Sequence, residues 1–445
     1  MTYATICDAL VLTLCVAFLI RFGRLSALHP AVVYGAFHFY CVTARLWALL
    51  LGAAPYTGIR TLLTEAEIVR AAICADAALV AVTVTWVLVG RRWARKPGAV
   101  SARPIMLQKR LVVAVVAICF PVGLWGLVTF GDAASGSPAL ALGAWQTSAY
   151  FTILVTWPIL SLLPLHYCFG WPVPLTLVTA ALLLSTALNS ARYSFVTAIL
   201  FLAAVQVFRS RRRWFSPIIL IVVAAVYVIA MPLKQIKTAI LTGGGLDGAR
   251  DTITSYYRNI LANEDIEKND IHFLDMCAAG MTAVDDHGKF FLGASLYPVL
   301  VNPIPRQLWP EKPRFNDYLV EISTPDRPLA TTGATLMLIG DGYLNFGYLG
   351  VIIVPCIAAY YLGRLYFRAI CYPHLSLARF GYVVIWSISV QIFRDGLESA
   401  IAYTFIFGMP LMFVVYGHLV SRFMTNHSAG LAASRVRVLR TRKAV

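Results

Sequence analysis

The sequence predicts an all-α polytopic membrane protein with about eleven transmembrane helices and one large, partly helical outer loop. Three observations predict it. Of the 445 residues, 59% are hydrophobic and only 13% are charged, with a mean hydropathy of +0.73. That balance leaves too little polar surface for a water-soluble fold of this size. Apolar runs of about 20 residues recur along the chain, the length a helix needs to cross ~30 Å of hydrocarbon. Lys and Arg collect in the short segments between those runs.

The first run, Tyr3–Ile20, has no basic stretch before it and no small-residue cleavage site after it, so it is expected to stay as a span. Leu28–Gly52, Ala66–Gly90, Leu111–Phe130 and Ala144–Leu165 follow by length and hydropathy. Pro172–Phe208 is too long for one span. It divides at the turn-prone Asn189-Ser190-Ala191 into Pro172–Leu188 and Arg192–Phe208. Phe215–Leu233 completes an N-terminal bundle of about eight spans, residues 1–233. Residues 234–334 form the outer loop, and residues 335–420 hold about three more spans, Thr335–Gly363, Phe380–Phe393 and Ser399–Leu419. Residues 421–445 are a basic tail.

With that division every basic cluster falls on one side. The clusters are Arg21 and Arg24; Arg91 to Arg110; Arg209 to Arg213; Arg364 to Arg379; and Arg422 with the tail. The positive-inside rule makes that side cytoplasmic, with the N-terminus outside and the C-terminus inside. The same distribution explains the net charge of +16 without a nucleic-acid partner. Among the nine cysteines only Cys277 sits in the outer loop, which excludes a disulfide within it.

The outer loop carries thirteen of the 21 acidic residues against ten Lys and Arg. Its first half reads as helical over Leu246–Ala262 and Glu267–His287, where Ile271, Leu274, Ala278 and Met281 keep helical spacing. Its second half is punctuated by Pro298, Pro303, Pro305, Pro310 and Pro313. Phe290, Phe291, Tyr297, Trp309, Phe315 and Tyr318 predict a folded lid over the outer mouth.

Ionisable groups within spans cost about 2.5–3.5 kcal/mol each on insertion scales, so each needs a reason. Arg45 and Asp76 lie at similar depth in adjacent spans and are expected to neutralise each other; Asp8, near the outer end of its span, is expected to be solvated. Arg192, Lys234, Arg306 and Arg394 all fall at the outer boundary. Four cations there suit a lipid-linked pyrophosphate, because guanidinium forks bind phosphate oxygens bidentately without a metal. The plainer reading is snorkelling at helix ends. Gly243-Gly244-Gly245 has no following Gly-Lys-Ser/Thr and is not a P-loop; Asp285-Asp286 reads as a solvated helix end; the eight histidines show no zinc spacing. No metal and no cofactor is expected.

Three segments together resemble a known family. Ile304-Pro305-Arg306-Gln307-Leu308-Trp309-Pro310-Glu311-Lys312-Pro313 resembles the Pro- and Trp-containing loop motif of Wzy-type polysaccharide repeat-unit polymerases. Ile339-Gly340-Asp341-Gly342-Tyr343-Leu344-Asn345-Phe346-Gly347 resembles that family's Gly-Glu…Asn-Phe-Gly motif, with Asp in place of Glu. Phe393-Arg394-Asp395-Gly396-Leu397-Glu398-Ser399 resembles its late Arg-acidic-Gly motif. Arg192, in a short turn before a span, matches a fourth position.

The resemblance implies a GT-C-like, metal-independent inverting glycosyltransferase that joins undecaprenyl-diphosphate-linked oligosaccharides at the outer face of the bacterial inner membrane. Donor and acceptor are both lipid-linked, and a chain-length regulator and a flippase are the implied protein partners. Arg192, Arg306, Arg394 and Lys234 would hold the departing pyrophosphate, Asp395 or Asp341 would be the base, and Trp309, Tyr318 and Arg314 would contact the sugars. O-antigen ligases share the architecture but rely on an outer-loop histidine, and neither His272 nor His287 stands in that motif. A lipid or sugar transporter would typically show internal repeats, and none is found.

Overall fold

The computed structural model describes residues 1–23, 25–52, 63–94, 104–134, 153–188, 192–210, 212–217, 221, 247–248, 250–255, 273–301, 304, 308–313, 317–324, 329, 336–402, 404 and 408–424. Among them all regular structure is helical, apart from isolated bridge residues such as the antiparallel pair Met106 and Ser376. Four helices are long and apolar enough to cross a membrane: Thr2–Phe22, Glu65–Trp93, Lys109–Thr129 and Met337–Cys371. The chain is thus a helical membrane protein in class. Shorter apolar helices cover Leu154–Phe169, Val173–Thr186, Ser194–Ser210 and Met409–Met424.

In chain order, α1 is Thr2–Phe22 and α2 is Pro30–His38. A π-helical turn, Phe39–Thr43, joins α2 to α3, Ala44–Leu50. α2 opens as Pro at the first helical position dictates, with the His29 Nδ1 accepting from the Ala31 N–H (3.1 Å). α4 is Glu65–Ala94, and its N-terminus is a capping box. There the Glu67 carboxylate accepts from the Thr64 N–H (2.7 Å) and the Thr64 Oγ1 accepts from the Glu67 N–H (3.3 Å). α5 is Lys109–Ala134, α6 Trp157–Phe169, α7 Val173–Leu188 and α8 Arg192–Ser210. Helix α7 ends and α8 begins on either side of the expected division; residues 189–191, 135–152 and most of the expected span Phe215–Leu233 lie outside the described residues.

From the outer-loop region come α9, Phe273–His287, α10, Tyr297–Val301, and α11, Asp317–Ile322. α12 is Met337–Cys371, α13 Leu377–Ala402 and α14 Met409–Met424. The core forms where α4 lies along α12: Trp86 is fully buried, and a Cβ on Gly363 would sit 3.1 Å from its ring. Small residues at such crossings let membrane helices approach closely. α9 is not a surface element. Leu274, Cys277, Ala278 and Ala279 are fully buried, and it packs on both α4 and α12.

The helices have two chemically distinct ends. At one, Arg21 and Arg91 share the Phe22 ring, each guanidinium 5.3 Å from its centre. Arg213 donates from Nε to the Leu25 carbonyl (2.9 Å), Lys109 lies over Phe169, and Arg379 lies over Phe208. The basic clusters, separate in sequence, therefore share one end. At the other end lie Arg70, Asp285 and Asp341. Arg70 and Arg91 are 21 residues apart on α4, about 32 Å at 1.5 Å per residue, close to the thickness of a hydrocarbon core.

Two expectations about buried charge are corrected. Arg45 does not pair with Asp76. Its Nε and an Nη donate to the two carboxylate oxygens of Asp275 (3.0 and 2.6 Å), and both residues are buried. The reason is that α9 inserts beside the π-turn and brings a carboxylate from 230 residues away. Asp8 is not solvated but 0% exposed, because α1 packs on α4. His38 Nε2 stands 2.8 Å from the Asp8 carboxylate and 3.4 Å from that of Asp76. The buried ionisable groups thus gather in two clusters, Arg45–Asp275 and Asp8–His38–Asp76.

Candidate functional site

Two interrupted helices meet at the end away from the basic clusters. α12 is helical from Met337 to Asn345, then breaks at Phe346 (φ −139°, ψ 15°) and Gly347 (φ 61°, ψ −147°). An L side chain rarely adopts the Gly347 conformation, so glycine is what permits the break. The two halves fold back on each other. A Cβ on Gly350 would lie 1.8 Å from the Gly342 carbonyl oxygen, and one on Gly342 would lie 2.4 Å from that of Gly350. In one continuous helix these residues would be about 12 Å apart. The expected unbroken span Thr335–Gly363 is therefore two segments, because the Asn345-Phe346-Gly347 motif is itself the bend.

α13 is interrupted at Gly396 (φ 81°, ψ −174°), again a glycine conformation. Helix continues through Arg394-Asp395 to Ala402, where the sequence had predicted a span ending at Phe393. The α13 break touches the α12 segment that precedes its own break: a Cβ on Gly396 would lie 3.0 Å from Asp341 Oδ2. Broken helices in a bilayer release backbone polar groups, which are tolerated only inside protein or beside water.

Asp341 is buried, 5% exposed. The Asn345 amide donates to the Asp341 main-chain carbonyl (2.9 Å) and to its Oδ1 (3.3 Å). The same amide group also donates to Ser295 Oγ (2.8 Å), while Asn345 Oδ1 accepts from the Gly293 N–H (2.8 Å). The Phe291 and Leu292 N–H groups donate to the carbonyls of Leu344 and Asn345 (both 3.1 Å). Residues 291–295 of the outer-loop region are thereby stitched to the bend beside Asp341. Arg394 Nε lies 3.3 Å from Asp395 Oδ1, and its guanidinium stands 5.0 Å from the centre of the Phe273 ring on α9. Arg394 is about one-third exposed and the Asp395 side chain is nearly buried.

A second polar group flanks this one. Arg70 Nη1 donates to Asp285 Oδ2 (2.5 Å), Arg70 Nη2 donates to Thr282 Oγ1 (3.0 Å), and the Tyr343 hydroxyl donates to Asp285 Oδ1 (2.6 Å). Asp285 and Asp286 are an exposed helix end, as expected, and Asp285 is in addition held by Arg70 and Tyr343. His287 stacks on Phe291 and lies 3.4 Å from Glu321.

Of the residues expected to act, the structure brings together Asp341, Arg394 and Asp395. Tyr318 is half-buried with its ring 6.1 Å from Phe291, and Trp309 is half-buried in the segment that Lys312 braces through its Nζ donor to the Ile304 carbonyl (2.7 Å). Lys234, Arg306, Arg314 and His272 lie outside the described residues, as does the side chain of Arg192, whose backbone opens α8. Sequence reasoning missed Asn345, although it stands in the quoted motif, and Arg70, whose place in the first turns of a span was the available signal.

The Asp8–His38–Asp76 group is the one set of described side chains whose ligand atoms could converge on a metal ion, all within 4.8 Å of one another. A small void lined by His38, Tyr34, Phe393 and Met337–Ile339 separates it from the start of α12. Compared with protein-family models, curated proteins and solved structures, the chain matches none.

Proposed function

We propose that this protein is a polysaccharide polymerase that joins lipid-linked oligosaccharides at the outer face of the bacterial inner membrane, in a bundle of about eleven spans of GT-C-like type. The observation that carries the reading is the contact of Asp341 with Gly396, where the two interrupted helices bring a buried carboxylate beside the Arg394-Asp395 pair. The gathering of basic clusters at the opposite end supports an outer location for this pair, by the positive-inside rule.

In the reaction, a sugar hydroxyl of the acceptor attacks the anomeric carbon of the donor glycan. The new C–O bond forms as the bond to the diphosphate oxygen breaks, with inversion, and undecaprenyl diphosphate leaves. The hydroxyl proton passes to a carboxylate. Asp341 is assigned this role: Asn345 donates to its Oδ1, and its Oδ2 lies beside Gly396. Asp395, whose Oδ1 lies 3.3 Å from Arg394 Nε, is assigned the role of fixing the charge of that guanidinium. Arg394, with Arg192, Arg306 and Lys234, stabilises the diphosphate as its charge develops. Trp309, Tyr318 and Arg314 contact the glycan.

Interrupted helices also build substrate sites in secondary transporters, near the midplane. Here the first break comes only nine residues into α12, about 14 Å from its start, and the second six residues before α13 ends. Breaks near one end favour chemistry at an interface over alternating access.

The test is complementation of a polymerase-deficient strain, reading chain length on a gel. Arg394→Ala and Asp341→Asn are expected to give single repeat units at normal protein level. Normal polymer from both variants would sink the assignment; glycan on the lipid A core without polymer would identify a ligase.

A further inference from the structure

We propose a second, phosphate-binding site at the end of the bundle opposite Asp341, in a basic cavity of about 600 Å³ between the end of α8 and the α12–α13 turn. Arg379 and Arg394 are 15 residues apart on α13, about 22 Å along the helix, so this cavity is separate from the polymerase site. The inference does not depend on that site's chemistry.

Arg209, Arg212, Arg379 and His374 line the cavity with Phe208 and Tyr372. Among the described residues no carboxylate lines it. Two of its cations are held in place. Arg379 donates from Nε to the Ala369 carbonyl (3.1 Å) and from an Nη to the Ile370 carbonyl (3.2 Å), across the Phe208 ring. The rest of its donor fork is thereby pre-oriented. Arg209 lies against Gly170 (φ +86°): a Cβ there would meet the guanidinium at 2.8 Å, so the glycine makes the room that Arg209 occupies.

His374 gives the independent sign of a ligand. Its ring packs on Tyr167 at 4.7 Å, and the Tyr167 hydroxyl donates to the His374 carbonyl. Both ring nitrogens are buried, and neither has a hydrogen-bond partner. Buried polar atoms are rarely left this way without an unseen partner. Burial, and then the Arg209 charge, pushes the His374 pKa below its ordinary value. The ring is therefore a neutral donor rather than a fourth repelling cation.

Snorkelling arginines extend singly to water. Three converging guanidinium groups and an unsatisfied imidazole match a compact multivalent anion, and phosphate oxygens accept from such forks bidentately. The phosphate could belong to a phospholipid headgroup in the adjoining leaflet or to a soluble phosphate.

Thermal unfolding of the full-length protein in a maltoside detergent distinguishes them. The probes are inorganic phosphate, phosphatidylglycerol and, as a control, phosphatidylcholine. At least one anionic probe is expected to raise the apparent Tm by several degrees. The double variant Arg209→Gln/Arg212→Gln is expected to abolish the rise, and His374→Phe, which keeps the ring and the net charge, to weaken it severalfold. Arg91→Gln/Arg92→Gln, an equal charge loss elsewhere at the same end, is expected to keep it. A rise with phosphatidylglycerol alone assigns a lipid headgroup; a rise with inorganic phosphate assigns a soluble one. No rise with either probe, or equal loss in both double variants, overturns the proposal. If the Arg209/Arg212 variant does not fold, an unchanged rise in His374→Phe overturns it equally.

Discussion

The Arg45–Asp275 pair offers the sharpest test of how this bundle holds together. Both side chains are buried, 2% and 0% exposed, and the contact is bidentate at 3.0 and 2.6 Å. Removing one partner leaves a charge in a low-dielectric interior. Such losses cost about 3–5 kcal/mol, whereas replacing both partners by apolar side chains of similar volume is often neutral or stabilising. Arg45→Met alone and Asp275→Leu alone should therefore each be destabilising by about 3–5 kcal/mol, and Arg45→Met/Asp275→Leu should recover most of that loss. Tryptophan fluorescence during heating of detergent-purified protein reads the order of the apparent Tm values at a fixed scan rate, which matters because such unfolding is often irreversible. The reasoning is refuted if the double variant unfolds no later than the worse single variant, or if either single variant unfolds like the parent. Because the pair joins α3 to α9, the single variants should also loosen α9, raising hydrogen exchange over Phe273–His287.

Gly396→Ala places a Cβ 3.0 Å from Asp341 Oδ2 at a φ of +81°, a strain of about 1–3 kcal/mol; polymer should be shortened or lost at near-normal protein level, and an unchanged gel pattern would count against the contact. Asn345→Leu leaves the Gly293 N–H without its side-chain acceptor, at about 1–3 kcal/mol. Limited proteolysis or hydrogen exchange should show residues 291–295 released from α12; equal protection would refute the stitch. Burial pushes the Cys277 thiol far above its ordinary pKa, so it stays protonated and inert at neutral pH. Maleimide should label the exposed Cys371, at the end of α12, in the folded protein and Cys277 only after denaturation.

What was legible in the sequence was whatever depends on neighbours in the chain. Tyr3–Ile20 and Ala66–Gly90 emerged as α1 and α4 because hydropathy over 20 residues is a local property. The division after Leu188 was legible because Asn-Ser-Ala is a poor helix interior in a long apolar run. Pairing across the fold was not. Arg45 had Asp76 as its nearest carboxylate at similar depth, and nothing local says that Asp275 arrives from the loop region. Asp341, Arg394 and Asp395 were singled out as residue types, but their meeting depends on two helix interruptions. A lone glycine in an apolar run more often serves close packing, as Gly363 does against Trp86, than a break. Helix α9, from the segment expected to be an outer loop, kept its helical spacing, yet its burial on both sides showed only once α4 and α12 were placed.

The two buried charge clusters also set a timetable. Asp8, His38 and Asp76 are all made within the first 76 residues, so their mutual contacts are available almost as soon as α4 leaves the ribosome. Arg45 must wait for Asp275. At about 5–20 residues per second, the 230 intervening residues take roughly 10–50 s to synthesise. Through that interval the nascent N-terminal helices carry a guanidinium without its eventual carboxylate. The arrival of α9 then supplies that carboxylate, before α12 and α13, which carry Asp341 and Arg394, have been made.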